Sequence, residues 1–110
     1  MIVRVWHAFA PAANSARYGA YLKQRLLPTY LAMTGNRGVL LCGRTQMGFA
    51  EFLVVSMWES VASLEALVGE PESEQPIAEM EAHPDLLNPV PLVKHYEVMM
   101  SASAAVFPGR

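Results

Sequence analysis

The chain has 110 residues, 53% of them hydrophobic and 16% charged, with a formal net charge of -2. That length holds one domain, the charged share lies well below the roughly 25% of ordinary soluble domains, and the composition excludes a disordered chain. Lysines and arginines are scattered singly, so no basic stripe exists to neutralise phosphates and nucleic acid is not an expected partner.

So few charges on so small a body, whose surface-to-volume ratio is unfavourable, imply apolar surface buried against a second copy, and a homodimer is expected. The longest wholly apolar stretches, such as Phe52 to Val55, fall far short of the ~20 residues that span a bilayer. The first residues read as a strand carrying Arg4, so a cytoplasmic protein without a membrane partner is expected. Cys42 is the only cysteine, which excludes an internal disulfide and any multi-thiolate metal site. Between Leu41 and Gly43 it reads as a small strand hydrophobe.

Ile2 to Phe9 alternates, with Val3, Val5, His7 and Phe9 on one side and Ile2, Arg4 and Trp6 on the other, the period of a strand. Asn14 or Ser15 can cap a helix running to about Met33, with Tyr18, Leu22, Leu26, Tyr30 and Met33 as its apolar stripe. Pro28 cannot donate to the carbonyl of Gln24, which predicts a kink there. Thr34 to Gly38 is turn chemistry. Val39 to Thr45 and Ala50 to Trp58, separated by Gln46, Met47 and Gly48, read as a hairpin. Phe52, Val54, Ser56 and Trp58 share one face of its second strand, and Glu51, Leu53, Val55 and Met57 the other; both faces should be covered. Ser60 caps a second helix, with Val61, Leu64, Leu67 and Val68 as its buried stripe and Gly69 at its end. Prolines crowd Pro71 to Pro91, leaving room for one short helix from Pro76 to Ala82. Leu92 to Met99 is the last strand. Residues 1–100 are expected to form the single domain, with 101–110 a loose tail.

Strand, helix, strand, strand, helix, strand is the ferredoxin-like α+β arrangement, one antiparallel sheet with two helices on one face. The other sheet face stays apolar, and a second copy can cover it.

Met1 to His7, the turn Gly35-Asn36-Arg37-Gly38, the block Glu51 to Ser60 ending in Trp58-Glu59-Ser60, and His95-Tyr96-Glu97-Val98 together resemble the antibiotic biosynthesis monooxygenase domain family of the dimeric α+β barrel superfamily. The resemblance covers nearly residues 1 to 98. It implies a small dimer that oxygenates phenolic or polycyclic substrates with molecular oxygen and without flavin, metal or other cofactor. A haem-degrading branch of the family is also implied for comparison. Its first-strand asparagine falls on His7, its helix tryptophan near Leu67, and its haem-ligating histidine near Ile77, with only His83 nearby. Without the axial ligand the iron has no anchor, so haem degradation is disfavoured.

On that reading His7 is the base that deprotonates a phenol and Trp58 walls the pocket. Phe9, Tyr21, Leu22, Leu26, Tyr30, Val54 and Ser56 are expected to bind the substrate. His7, on the helix-covered face with Val3, Val5 and Phe9, is expected to reach one cavity with Trp58. The bland alternative makes both of them core side chains, and the matching alternative function is a non-catalytic dimer that sequesters a small hydrophobe. His95 and Glu97 alternate onto one face of the last strand, and convergence with His7 would give the ligand type of non-haem iron. His83 before Pro84 reads as a surface position. The seven methionines suit an adaptable cavity or an ordinary core. No nucleotide-binding glycine loop or hydrolase triad order is present.

Overall fold

In the computed structural model, residues 1–68 and 92–102 are described. The expected short helix from Pro76 to Ala82, Gly69, His83 and most of the tail lie outside them. Strand β1 spans Ile2–Pro11, β2 Asn36–Gln46, β3 Phe49–Trp58 and β4 Leu92–Glu97. They form one sheet in the order β2-β3-β1-β4, with every pairing antiparallel. A helical segment links β1 to β2, and α3, Val61–Val68, follows β3. This is the ferredoxin-like α+β fold. β2 begins at Asn36 rather than Val39, and β4 ends at Glu97 rather than Met99.

The helical segment is wound in pieces: a 3-10 turn at Ala12–Asn14, α1 at Ser15–Tyr21, a π turn at Leu22–Leu26 and α2 at Leu27–Leu31. A wide turn stands just before Pro28, next to the position where the sequence predicts a kink. Two causes combine. The wide turn is closed by the Leu27 N–H donating to Leu22 C=O, five residues back, and one cause is Pro28, which offers no N–H to the preceding turn. The apolar stripe Tyr18, Leu22, Leu26, Tyr30 also repeats strictly every four residues, which overshoots a 3.6-residue turn by about 40° per step. A π turn absorbs that drift, and all four side chains are fully buried. Thr29 Oγ1 donates to Arg25 C=O at 2.7 Å.

Met47 and Gly48, with φ of 53° and 84°, make a two-residue hairpin turn between Gln46 and Phe49, the left-handed pair that matches strand twist. Gly35 has φ 86°, and a Cβ there would stand 2.3 Å from the Ser63 Cβ. Its carbonyl accepts the Glu59 N–H at 2.7 Å, tying the end of the helical segment to the start of α3. Ser60 and Ser63 cap α3 reciprocally: Ser63 N–H donates to Ser60 Oγ at 3.3 Å and Ser60 N–H to Ser63 Oγ at 3.0 Å, a capping box with serine in place of glutamate. Leu64 is buried, whereas Val61 is 48% exposed, so the stripe expected to begin at Val61 is anchored instead by Leu64.

The register decides what lies on each face, because residues directly opposite share a face. Ile2, Arg4, Trp6, Ala8 and Ala10 of β1 oppose Trp58, Ser56, Val54, Phe52 and Ala50 of β3. This face carries the helices, and the core cluster lies there: Trp6, Tyr18, Leu22, Leu26, Tyr30, Phe52, Val54, Trp58 and Leu64 among its members. Val3, Val5, His7 and Phe9 lie on the opposite, open face, each only partly buried. The expectation that His7 and Phe9 sit beneath the helices is therefore corrected. Ala8 and Ala10 explain the choice: their small side chains let the helical segment approach the sheet backbone, which Phe9 and His7 would hold away. The methionines divide: Met33 packs against the core, while others face outward. Met47, Met99 and Met100 are 88%, 97% and 84% exposed. Cys42 lies on a strand as expected but is exposed and free.

Candidate functional site

Across the helix-covered face runs a row that is polar on three of its four strands. Val39 of β2, Ser56 of β3, Arg4 of β1 and His95 of β4 stand side by side by register. Arg4 is 1% exposed and its Nη1 donates to the Tyr30 hydroxyl at 3.3 Å. A guanidinium cannot discharge by losing its proton, so burying it between two tryptophans, an oxygen acceptor and the sheet places a fixed positive charge in a poorly solvated interior. Trp58 is fully buried; its indole N–H donates to Ser56 Oγ at 2.9 Å and its ring meets Tyr30 edge-on, centroids 5.9 Å apart. Tyr18 meets Phe52 edge-on at 5.3 Å and stacks on the partly buried Tyr21 at 5.8 Å.

Of the sequence-derived site residues, Trp58, Ser56, Val54, Tyr30, Leu26 and Leu22 belong to this one interior, and Tyr21 packs against it. His7 and Phe9 do not. Residues that the sequence reasoning passed over as pocket members are Arg4, Trp6 and Tyr18. The signal was present in β1: a lone charge two residues from a tryptophan on the side that ends in Ala8 and Ala10.

On the open face His7 has its own partners. His7 Nδ1 lies 3.1 Å from Glu51 Oε2, and Arg44 Nε donates to Glu51 Oε1 at 2.7 Å. The Arg44 hydrogen bond, and then that of His7, hold the Glu51 carboxyl below its ordinary range, against the opposing effect of desolvation. An open hollow of about 240 Å³ adjoins this cluster, lined by Cys42, Gly43, Arg44, Glu51 and Leu53. A second hollow, of about 580 Å³, lies between α1 and β2, with Gly19, Lys23, Leu41 and Phe52 among its walls.

The metal-ligand expectation also fails on register. His95 opposes Arg4 and Glu97 opposes Ile2, which puts both on the helix-covered side while His7 is on the other. Among the described residues no group of three or more His, Cys, Asp or Glu can hold a metal ion. No helix among them is long and apolar enough to cross a membrane.

Neither a protein-family model nor a curated protein matches this chain. Solved structures do. A Deinococcus radiodurans protein assigned as an antibiotic biosynthesis monooxygenase superposes with a TM-score of 0.71 at 17% identity, covering 96% of this chain and 100% of that one. This chain has the fold of the antibiotic biosynthesis monooxygenase structures. The monooxygenase from the Streptomyces coelicolor gene ActVA-Orf6, in complex with nanaomycin D, superposes with a TM-score of 0.60 at 16% identity, covering 98% and 92%. The Mycobacterium tuberculosis haem-degrader MhuD, with two haems in its active site, gives 0.65 at 21% identity, covering 94% and 100%. The resemblance read from the sequence is borne out at the level of fold.

Proposed function

We propose that this chain is a monooxygenase that oxidises a small aromatic or fused-ring phenol with molecular oxygen, without flavin, metal or other cofactor, on the helix-covered face of its sheet. The observation that carries the reading is the buried Arg4, hydrogen-bonded to Tyr30 and flanked by Ser56, Trp58 and Trp6. A fixed guanidinium stabilises a phenolate oxygen more strongly in such an interior than in water. The phenolate, once formed, is electron-rich enough to react with oxygen directly. One oxygen atom enters the ring as a carbonyl and the other leaves as water, all electrons coming from the phenol. His95, beside Arg4 in register, takes over the role expected of His7 as proton acceptor. Trp58 and Tyr30 supply aromatic walls that orient the ring. A structure of the same fold in complex with nanaomycin D adds support for a fused-ring substrate.

The open face is the proposed dimer surface. Leu40 and Tyr96 are 57% and 56% exposed there, next to the partly buried Val3, Val5, Leu53, Val55 and Met57. A patch of this kind is unusual on a monomer.

Full burial of Trp58, Tyr30 and Tyr18 favours one other reading, a non-catalytic dimer that sequesters a small hydrophobe. The two are separated with 1,5-dihydroxynaphthalene, whose oxidation to 5-hydroxy-1,4-naphthoquinone is visible by absorbance. Catalysis predicts wild-type turnover and a loss of about 100-fold or more in both Arg4→Gln and His95→Gln. Binding of the naphthol by a folded wild-type protein without any product supports sequestration instead.

A further inference from the structure

Two tryptophans share the helix-covered face, both 0% exposed, and they differ in one respect. The Trp58 N–H is satisfied by Ser56 at 2.9 Å. The Trp6 Nε1 is buried with no hydrogen-bond partner among the described residues. Buried donors left unmade are rare and ask for a reason. Its row across the sheet supplies no side-chain acceptor, being Leu41, Val54, Trp6 and Val93, all apolar. Phenylalanine would fill such a row without an orphaned donor. Two residues away on the same face stands Arg4, so the orphaned indole N–H and the guanidinium belong to neighbouring positions, about 7 Å apart along the strand.

We infer that the Trp6 indole N–H is a ligand-binding donor that takes an oxygen of the aromatic ligand beside Arg4, giving the interior a preference for rings bearing a carbonyl or phenol oxygen over hydrocarbons of the same shape. The inference rests on reading this face as the ligand site. It adds a positioning residue that fixes which edge of the ring points toward Arg4. An indole suits the task because it donates but cannot accept: it holds a carbonyl or phenolate oxygen and offers nothing to a ligand that presents only donors.

The test uses the full chain labelled with ¹⁵N-tryptophan, which gives two indole signals, the one belonging to Trp58 being identified by its displacement in Ser56→Ala. Titration with 1,4-naphthoquinone is expected to move the Trp6 signal downfield, as a new hydrogen bond does, and by more than that of Trp58, whose N–H keeps its bond to Ser56. In parallel, Trp6→Phe is expected to weaken binding of 1,4-naphthoquinone by about 3- to 10-fold, the value of one hydrogen bond, with naphthalene affinity unchanged. Naphthoquinone bound with the Trp6 signal unmoved, or equal losses for quinone and hydrocarbon, overturns the role of Trp6 and leaves the proposed reaction standing. No binding of the quinone to the wild-type protein overturns both. The labelling experiment needs no Trp6 variant, so misfolding of Trp6→Phe does not blunt it.

Discussion

Glu51 shows how a single carboxylate on a sheet face with few charges becomes a pH-dependent contributor. Arg44 and His7 both bind it, and its pKa is lowered from an ordinary 4.5. A carboxyl lowered by folding stabilises the native state at pH above its unfolded value, and that contribution fades as pH falls through the lower folded value. The urea midpoint of Glu51→Gln should therefore fall below that of the wild type above pH 4.5 and converge with it as the pH is lowered further. A constant gap down to pH 3 would show that Glu51 acts by packing alone. The same residues show what was legible. The alternation of β1 separated His7 from Trp6 correctly, yet hydropathy could not say which side the helices cover, because both sides are largely apolar. Packing decided it: Ala8 and Ala10 admit the helical segment, and Arg4 follows them inside because register leaves it no choice. That Ser56, Val54 and Trp58 share one face was legible because β3 alternates without a break.

The connections between elements carry the conformational demands of the fold. Gly35 meets two at once, a left-handed φ of 86° and a Cβ position 2.3 Å from Ser63. Gly35→Ala should cost about 1–3 kcal/mol from the backbone alone, measured by urea denaturation. Ser63→Gly in the same chain should restore part of the loss by removing the clash, but not the share that belongs to φ. Full wild-type stability in Gly35→Ala would contradict this account of the turn. The turn itself was readable from Gly35, Asn36 and Gly38. The π turn was not, although both of its causes, Pro28 and the four-residue repeat from Tyr18 to Tyr30, stand in the sequence. The proline points to an irregular turn here, and the need to bury Leu22 and Leu26 together with Tyr18 and Tyr30 gives that turn its width.

A chain with this little charge keeps one sheet face under its helices, and the other is the proposed dimer surface. Light scattering at micromolar concentration should give twice 12.1 kDa, and Leu40→Glu, which puts a charge on the open face, should shift the mass toward the monomer. A wild-type monomer would contradict the proposed interface. Order of elements and fold class were legible from periodicity and turn residues because each element carries its own pattern. The site was less legible because its members come from three strands and the helical segment, and register, which the sequence does not encode locally, brings them together. The central claim is that the chain inserts an oxygen atom into a phenol using no oxidant but oxygen. An oxygen electrode read alongside absorbance, with 1,5-dihydroxynaphthalene and the metal-chelated wild-type protein, tests it most directly: one oxygen molecule consumed per 5-hydroxy-1,4-naphthoquinone formed, with no hydrogen peroxide released, is the predicted result, and bound naphthol with no oxygen uptake above buffer would contradict it.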